Sequence, residues 1–345
     1  MQLAIEIGAP RADNLPLLAA WVRHADRLGI SMAFSGEGWG SDAVTPLAYL
    51  AGRTERIRLA TGIMQTTART PSMAAMTALT LHDLTGGRFA LGLGASGPQV
   101  VEGLHGVPYR TPLARLRETV EICRMVFAGE KVRYEGKVFR LPLPDGEGKS
   151  IRIAHDPVDI PIYLATLGPN PLRYTGSAAD GWLGTSFSPE HAAAHLDHLS
   201  AGAAAAGRDL TAVDLCVSVR VEIGNDVEAM IERRKRGVAF TLGGMGSATA
   251  NFYNDAFRRA GYDEDARAVQ SLWLAGRRDA AAQRVPEAMV TEFQALGTRD
   301  MVAERLRKYR AAGVTTLKLG LDSAPLSPDR FELLENIVDL MEGLE

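Results

Sequence analysis

Cysteine is nearly absent from this chain: Cys123 and Cys216 are the two in 345 residues. Neither belongs to a CxxC pair or another ligand-like spacing, so a disulfide framework and a cysteine-built zinc site are excluded. Both read as core thiols within apolar stretches. No charge of one sign dominates either, since 38 basic side chains stand against 41 acidic ones for a net charge of -3. Without a like-charge run there is no electrostatic footprint for a nucleic-acid backbone or an anionic membrane, and small molecules are the expected partners. Long apolar runs are missing too: no span of about 20 apolar residues occurs. The N-terminal stretch scatters Glu6, Asp13 and Asn14 among its apolar residues, unlike a signal peptide. The expected compartment is the cytoplasm. P-loop, GKS/GKT and GxSxG signatures are all lacking, which argues against nucleotide kinases and serine hydrolases.

What is there is a repeated beat. With 46% hydrophobic residues, short strand-like runs alternate with longer segments of helical period, the pattern of βα units around a parallel sheet. The strand candidates are Leu3–Ile7, Met32–Ser35, Arg58–Gly62, Phe89–Gly94, Ile162–Thr166, Gly181–Thr185, Leu215–Ile223 and Thr315–Gly320. Between the first two, Leu15, Leu18, Trp21, Val22, Ala25 and Leu28 recur at helical spacing, and Gly29 supplies a left-handed stop. Ser188-Pro189-Glu190 opens a later helix, with proline at the first helical position. Thr298 caps a helix running to Ala312, Gly313 ends it, and Pro328–Gly343 closes the chain. Eight such units ending in a helix predict an α/β fold of the TIM (β/α)8 barrel type, spanning 1–345 as one domain. Two stretches break the beat. About 130–159 is rich in Gly and Pro, with an alternation of Val132, Tyr134 and Val138 that predicts a hairpin and an irregular loop. About 243–292 is rich in Gly, Ala and Arg, with helical patches near Asn251–Ala260 and Asp265–Ala275. Both are expected as insertions at the C-terminal, site-bearing face, where they would serve as substrate lids or oligomer contacts.

Gly92-Leu93-Gly94-Ala95-Ser96-Gly97 spells GxGxxG directly after a strand. Pro98 follows at once and no acidic residue closes a second strand about twenty positions on, so a Rossmann site is disfavoured. The glycines instead suit a flat ring lying against backbone, where no Cβ intervenes. His191, His195 and His198 share a helical face but lack an HExxH partner, so they read as a solvated helix surface, and no metal site is expected. The remaining polar residues fall at strand C-terminal ends: Glu6; Glu37 and Trp39; Thr61, Gly62 and Ile63; Ser96 and Gly97; then Thr166, Leu167 and Gly168. Gly168 opens a helix through Pro169, and amides at a helix N-terminus form a phosphate site. Glu6 has two readings, a functional carboxylate or a structural brace.

The segments TGIMQTTARTP, LTGGRFALGLGASGPQVVEGLHG and LATLGPNPLRYTGSAADGW strongly resemble the bacterial-luciferase-like superfamily over most of the chain. SGPQVVEG together with GSDAVTPLAYLA is similar to the branch that uses the deazaflavin coenzyme F420, including methylenetetrahydromethanopterin reductase and actinobacterial oxidoreductases. The resemblance implies a TIM barrel with the coenzyme ring at the mouth and a non-prolyl cis bond at Gly62-Ile63 in a bulge supporting one ring face. It places the ring's polar edge near Glu37, Ser96 and Gly97, with Gly94 beneath. It places the phosphate at Thr166, Leu167 and Gly168 and at the sixth-strand amides of Gly181, Trp182 and Leu183. The chain departs from the sugar-phosphate dehydrogenases of this branch: Gly38 stands where they carry a histidine and Gly97 where they carry a glutamate, so sugar-phosphate oxidation is disfavoured. Glu6 matches a strand-one glutamate of the methylene-pterin reductases.

The expected activity is hydride exchange between the deazaflavin C5 and a small organic substrate by an oxidoreductase that is a homo-oligomer, such as a dimer. Glu6 is the expected proton donor, its pKa raised by burial, with Glu37 the alternative. Two rivals remain: an FMN-dependent monooxygenase on the same barrel, and a non-catalytic F420-binding protein.

Overall fold

The alternation closes on itself in the computed structural model, which describes residues 1–321 and 326–344. Eight parallel strands form the barrel: β1 (Gln2–Glu6), β2 (Met32–Ser35), β3 (Arg58–Thr61), β4 (Phe89–Gly94), β5 (Ile162–Ala165), β6 (Gly181–Gly184), β7 (Asp214–Ile223) and β8 (Thr316–Leu321). Neighbours in sequence are neighbours in space, and β1 pairs with β8, as in Ala4↔Lys318, to complete the ring. Each strand foreseen in the sequence is present, its ends moved by a residue or two. In each β/α unit a helix returns the chain; the last two are Arg299–Ala311 and Pro328–Glu342.

Alternation decides which side chains fill which layer. Ala4, Met32, Phe34, Ala60, Ala90, Tyr163, Leu183 and Cys216 point inward and pack the lumen. Their neighbours, such as Leu3, Ile5, Leu59 and Leu317, face the helices. The first helix, Leu15–Arg27, buries Leu18, Trp21, Val22 and Ala25 along one face, and Gly29 at φ 76° ends that unit. Thr298 caps the helix Arg299–Ala311 by accepting from the Met301 amide. The lumen is plugged at its N-terminal end by Tyr163, which donates to Asp214 at 2.8 Å.

The two insertions lie at opposite ends of the barrel. Residues 130–159 do not reach the site-bearing face as the sequence reading expected. They join the end of the helix Pro112–Phe127 to the start of β5, and every helix of such a barrel runs back toward the N-terminal face, so the connection opens there. The foreseen hairpin is present as Tyr134–Glu135 against Arg140–Leu141. Buried Glu118 fixes it by accepting from the amides of Lys137 and Phe139, each at 2.8 Å.

The second insertion does sit over the mouth, but it begins at Val227 rather than Gly243. It leaves the top of β7 and returns as a short strand, Ala295–Gly297, paired in parallel with the same end of β7 through Val221↔Ala295 and Ile223↔Gly297. Its helices, among them Val227–Gly243, Phe252–Phe257 and Asp263–Leu274, share an apolar cluster of their own that includes Leu242, Phe257, Val269 and Phe293. Among the described residues no helix is long and apolar enough to cross a membrane.

Candidate active site at the barrel mouth

The mouth is shaped by a bulge after β3. Ala60 pairs with Ala90, yet Met64 pairs with Leu93, so three residues on one strand face two on the next, and the extra residue bends the chain inward. The Gly62-Ile63 bond within it is cis, as the resemblance implied. The Gly62 amide donates to Ser35 O and the Ile63 carbonyl accepts from the Glu37 amide at 3.0 Å. Three glycines make room for this path. A Cβ at Gly36 would lie 2.8 Å from Gly62 O, one at Gly62 would lie 2.7 Å from the Phe34 ring, and one at Gly94 would lie 2.6 Å from Ile63 Cδ1. Ile63 and Ala165 pack on the lumen cluster that includes Phe34 and Leu183, giving an apolar floor.

Polar groups stand at two edges of that floor. Near the bulge, Gln65 Oε1, Thr66 Oγ1 and Thr67 Oγ1 are buried without a partner. On the far side, Lys318 Nζ reaches Glu6 Oε1 at 3.1 Å and lies 5.5 Å from the Phe34 ring. Lys318 is the residue that sequence reading missed; its signal was the inward position in Leu317-Lys318-Leu319, a lysine in a strand otherwise apolar. Lys318 is the main reason the Glu6 carboxyl is held below its ordinary pKa, against the effect of burial, with Arg220 and Arg330 adding to it. The raised value expected for Glu6 is therefore reversed: it is a charged carboxylate, its side chain 55% open to the mouth. Burial works against the Lys318 ammonium, but Glu6, Cys216 and Tyr253 outweigh it and its pKa stands above the usual lysine value.

The loop after β5 forms a third edge. Gly168 caps the helix Pro169–Ala178, but its first turn is poor in donors, because Pro169 and Pro171 have no N–H and the Leu172 amide is bonded to Gly168 O. Arg259, from the insertion, makes good the lack of positive charge. Its Nη2 donates to Leu167 O at 2.6 Å, and its Nε is buried without a partner.

Several residues expected in the site serve the scaffold instead. The Glu37 carboxylate is 7% exposed and accepts from the Gln65 amide at 2.8 Å, the Ala43 amide and the Arg69 guanidinium, so it braces the bulge. The Thr61 hydroxyl stitches β3 to β4 by bonding both the Gly92 amide and carbonyl at 2.8 Å. The Thr166 hydroxyl bonds Thr175 at 2.7 Å, and the Trp182 indole faces outward to hold Thr166 O at 2.9 Å. Gly181 opens β6 at the N-terminal end of the barrel, opposite Tyr163, so it is turned away from the mouth; Leu183 contributes only to the floor. Ser96, at φ 58°, and Gly97 do border the mouth, with Ser96 O accepting from the Tyr109 hydroxyl at 3.0 Å, while Trp39 is 71% exposed beside it.

The histidines are also placed otherwise than expected. Pro189–His191 is a 3-10 turn and the α-helix starts at Ala193, so the three do not share one face. His191 bonds Glu292 at 3.0 Å. His195 is 1% exposed against the Trp182 and Phe187 rings, and burial, with Arg259 nearby, lowers its pKa to about 3. Among the described residues no group of three His, Cys, Asp or Glu could hold a metal ion.

An apolar floor raised by the bulge, orphaned hydroxyls at one rim and an arginine at another suit a flat heterocycle carrying a phosphate. The comparisons agree with that shape. The family profile described as luciferase-like monooxygenase matches residues 3–316. A Mycobacterium tuberculosis protein named as a coenzyme F420-dependent oxidoreductase, Rv3520c, is 39% identical over 94% of this chain and 96% of its own length. The 5,10-methylenetetrahydromethanopterin reductase of Archaeoglobus fulgidus is 28% identical over 84% of each chain. The solved structure of the coenzyme F420-dependent tetrahydromethanopterin reductase from Methanopyrus kandleri superposes with a TM-score of 0.80 at 25% identity, covering 100% of this chain and 99% of that one. On barrel, bulge and sequence together, the chain belongs to the bacterial luciferase-like family.

Proposed function

We propose that this protein is a coenzyme F420-dependent oxidoreductase that exchanges a hydride with a small organic substrate at the barrel mouth. The observation that carries the reading is the apolar floor of Ile63 and Ala165 on the lumen cluster, raised by a bulge whose close backbone path needs glycine at 36, 62 and 94; it offers a planar ring one apolar face and leaves the other open to a substrate. When bound, the deazaflavin supplies two-electron hydride chemistry and reacts poorly with oxygen. Ile63, Gly94 and Ala165 would support the ring; Gln65, Thr66 and Thr67, with the backbone at Ser96 and Gly97, would meet its polar edge. The amides of Gly168 and Asn170, with Arg259, would hold the phosphate. The insertion from Val227 onward keeps water from the open face and shapes the substrate space. The chain's own work is then to orient, to exclude water and to manage one proton.

FMN is the family's other coenzyme. Calorimetry of the apo-protein with both separates the two readings: F420 binding more tightly than FMN is expected, and FMN binding equally or more tightly would overturn the assignment. Tight F420 binding with no turnover across enones, imines and alcohols would instead show a coenzyme carrier.

A further inference from the structure

Three cations gather around one carboxylate at the edge of the ring floor. Lys318, its side chain 12% exposed, bonds Glu6. Arg220 points inward from β7, its side chain crossing Gly320, where a Cβ would lie 3.3 Å from Arg220 Cγ. Arg330 reaches Glu6 O at 3.4 Å. Tyr253, from the insertion, adds a phenol that feels the Lys318 charge, and Cys216 lies buried in the same lumen. Lys318 and the bulge share a wall, because the Phe34 ring lies 5.5 Å from Nζ and also abuts Gly62. An ammonium so held beside an apolar floor, with cations in excess around it, suits a substrate atom that gains negative charge as hydride arrives, and disfavours one that is already positive.

We propose that Lys318 is a catalytic residue that binds the oxygen of a carbonyl or enone substrate and donates its proton, so that this enzyme acts on such compounds rather than on iminium ions. The proposal rests on the coenzyme-dependent reading above. In the reductive direction the coenzyme hydride forms a new C–H bond at the electrophilic carbon. The π pair moves onto oxygen, directly in a ketone or through the conjugated C=C in an enone. The Nζ–H bond breaks as the proton passes to that oxygen, and the neutral amine is reprotonated from solvent. The substrate takes up one hydride from the coenzyme and one proton from Nζ, two electrons and two protons in all, and the coenzyme is oxidised by two electrons; the enol formed from an enone then tautomerises to the ketone through solvent. Glu6 holds the ammonium in place and charged between turnovers.

The test uses the full-length protein and two probes. The first, run without coenzyme, follows 4-nitrophenolate, an enolate mimic, by its absorbance. The second follows single-turnover reduction of 2-cyclohexenone, with a cyclic iminium salt in parallel. Lys318→Met should weaken phenolate binding at least tenfold and slow enone reduction about 10²–10⁴-fold, while the coenzyme dissociation constant stays within a few-fold and iminium reduction, freed of a repelling charge, rises. Lys318→Arg should keep phenolate binding and still lose the rate, because a guanidinium keeps its proton. It also retains a charged partner for Glu6, should the methionine variant fold poorly. Wild-type rates in Lys318→Arg, or undiminished phenolate binding in Lys318→Met, would overturn the assignment. Failure of the wild type to bind F420 would overturn the coenzyme reading instead, and the phenolate measurement would still decide whether Lys318 is an oxyanion site.

Discussion

Arg259 should contribute more to coenzyme affinity than the helix it faces. The first turn after Gly168 offers few amides, and Arg259 already donates to Leu167 O at 2.6 Å with its Nε buried and unpartnered, so a phosphate at this loop would find a guanidinium waiting. A hydrogen bond to a charged group is worth about 1.5–3 kcal/mol net, and a close charge pair at a protein surface about 4 kcal/mol before screening. Arg259 is only half-buried, so the lower range applies. Arg259→Gln should weaken F420 about 10–150-fold, read from the change in coenzyme fluorescence on titration. The decisive comparison is the deazaflavin riboside without the phosphate, whose affinity should be altered less than twofold. Equal losses for both ligands would mean that Arg259 only fastens the insertion to the barrel, and no loss for either would move the phosphate elsewhere.

Two further outcomes test the scaffold. His195, lowered to about 3 in the fold from about 6.5 in an unfolded chain, binds its proton mainly when unfolded. Stability should therefore fall as pH drops below about 6.5, by about 1.4 kcal/mol per pH unit down to about pH 3. Urea melts from pH 7 to pH 4 should show this slope reduced by one proton in His195→Phe, and an unchanged slope would refute the burial argument. Glu37→Gln should cost about 2–4 kcal/mol, because Arg69 is left beneath the bulge without its charge partner. Adding Arg69→Met should recover part of that loss in the same melts, and the single-turnover rate of a folded Glu37→Gln protein should stay within a few-fold of the wild type. A drop of 10²-fold or more would restore Glu37 as an acid–base group.

The barrel was legible because its information is local. Strand alternation, Gly29, Thr298 and Gly313 each announce an element within a few residues, and the eight foreseen strands appear in that order. The bulge was legible only through the resemblance, since no spacing in Thr61-Gly62-Ile63 distinguishes an inward bend from an ordinary strand end. Side-chain destinations were less legible. Thr61, Thr166 and Glu37 stand at strand ends, as site residues do, yet each meets a backbone or side-chain partner brought near by folding. The same limit hid Lys318, whose partner Glu6 lies 312 positions away and whose meaning depends on β1 and β8 being adjacent. The expectation for 130–159 erred on direction: composition marks a loop, but only the count of preceding strands and helices tells which end of the barrel it leaves from.

The way the second insertion is attached bears on how this enzyme could change its substrate. Its two ends meet side by side where Ala295–Gly297 pairs with the top of β7 and the Gly224 amide donates to Gly297 O at 2.8 Å, and the barrel's own return helix, Arg299–Ala311, comes after it. With its own apolar cluster, the segment can be exchanged in evolution or by design as a cassette. What lies outside the cassette, the bulge floor and the Glu6–Lys318 pair, stays fixed by strand register. Chimeras joined at Gly224 and Gly297 that keep an arginine at the position of Arg259 would vary which molecules enter while conserving the chemistry they meet.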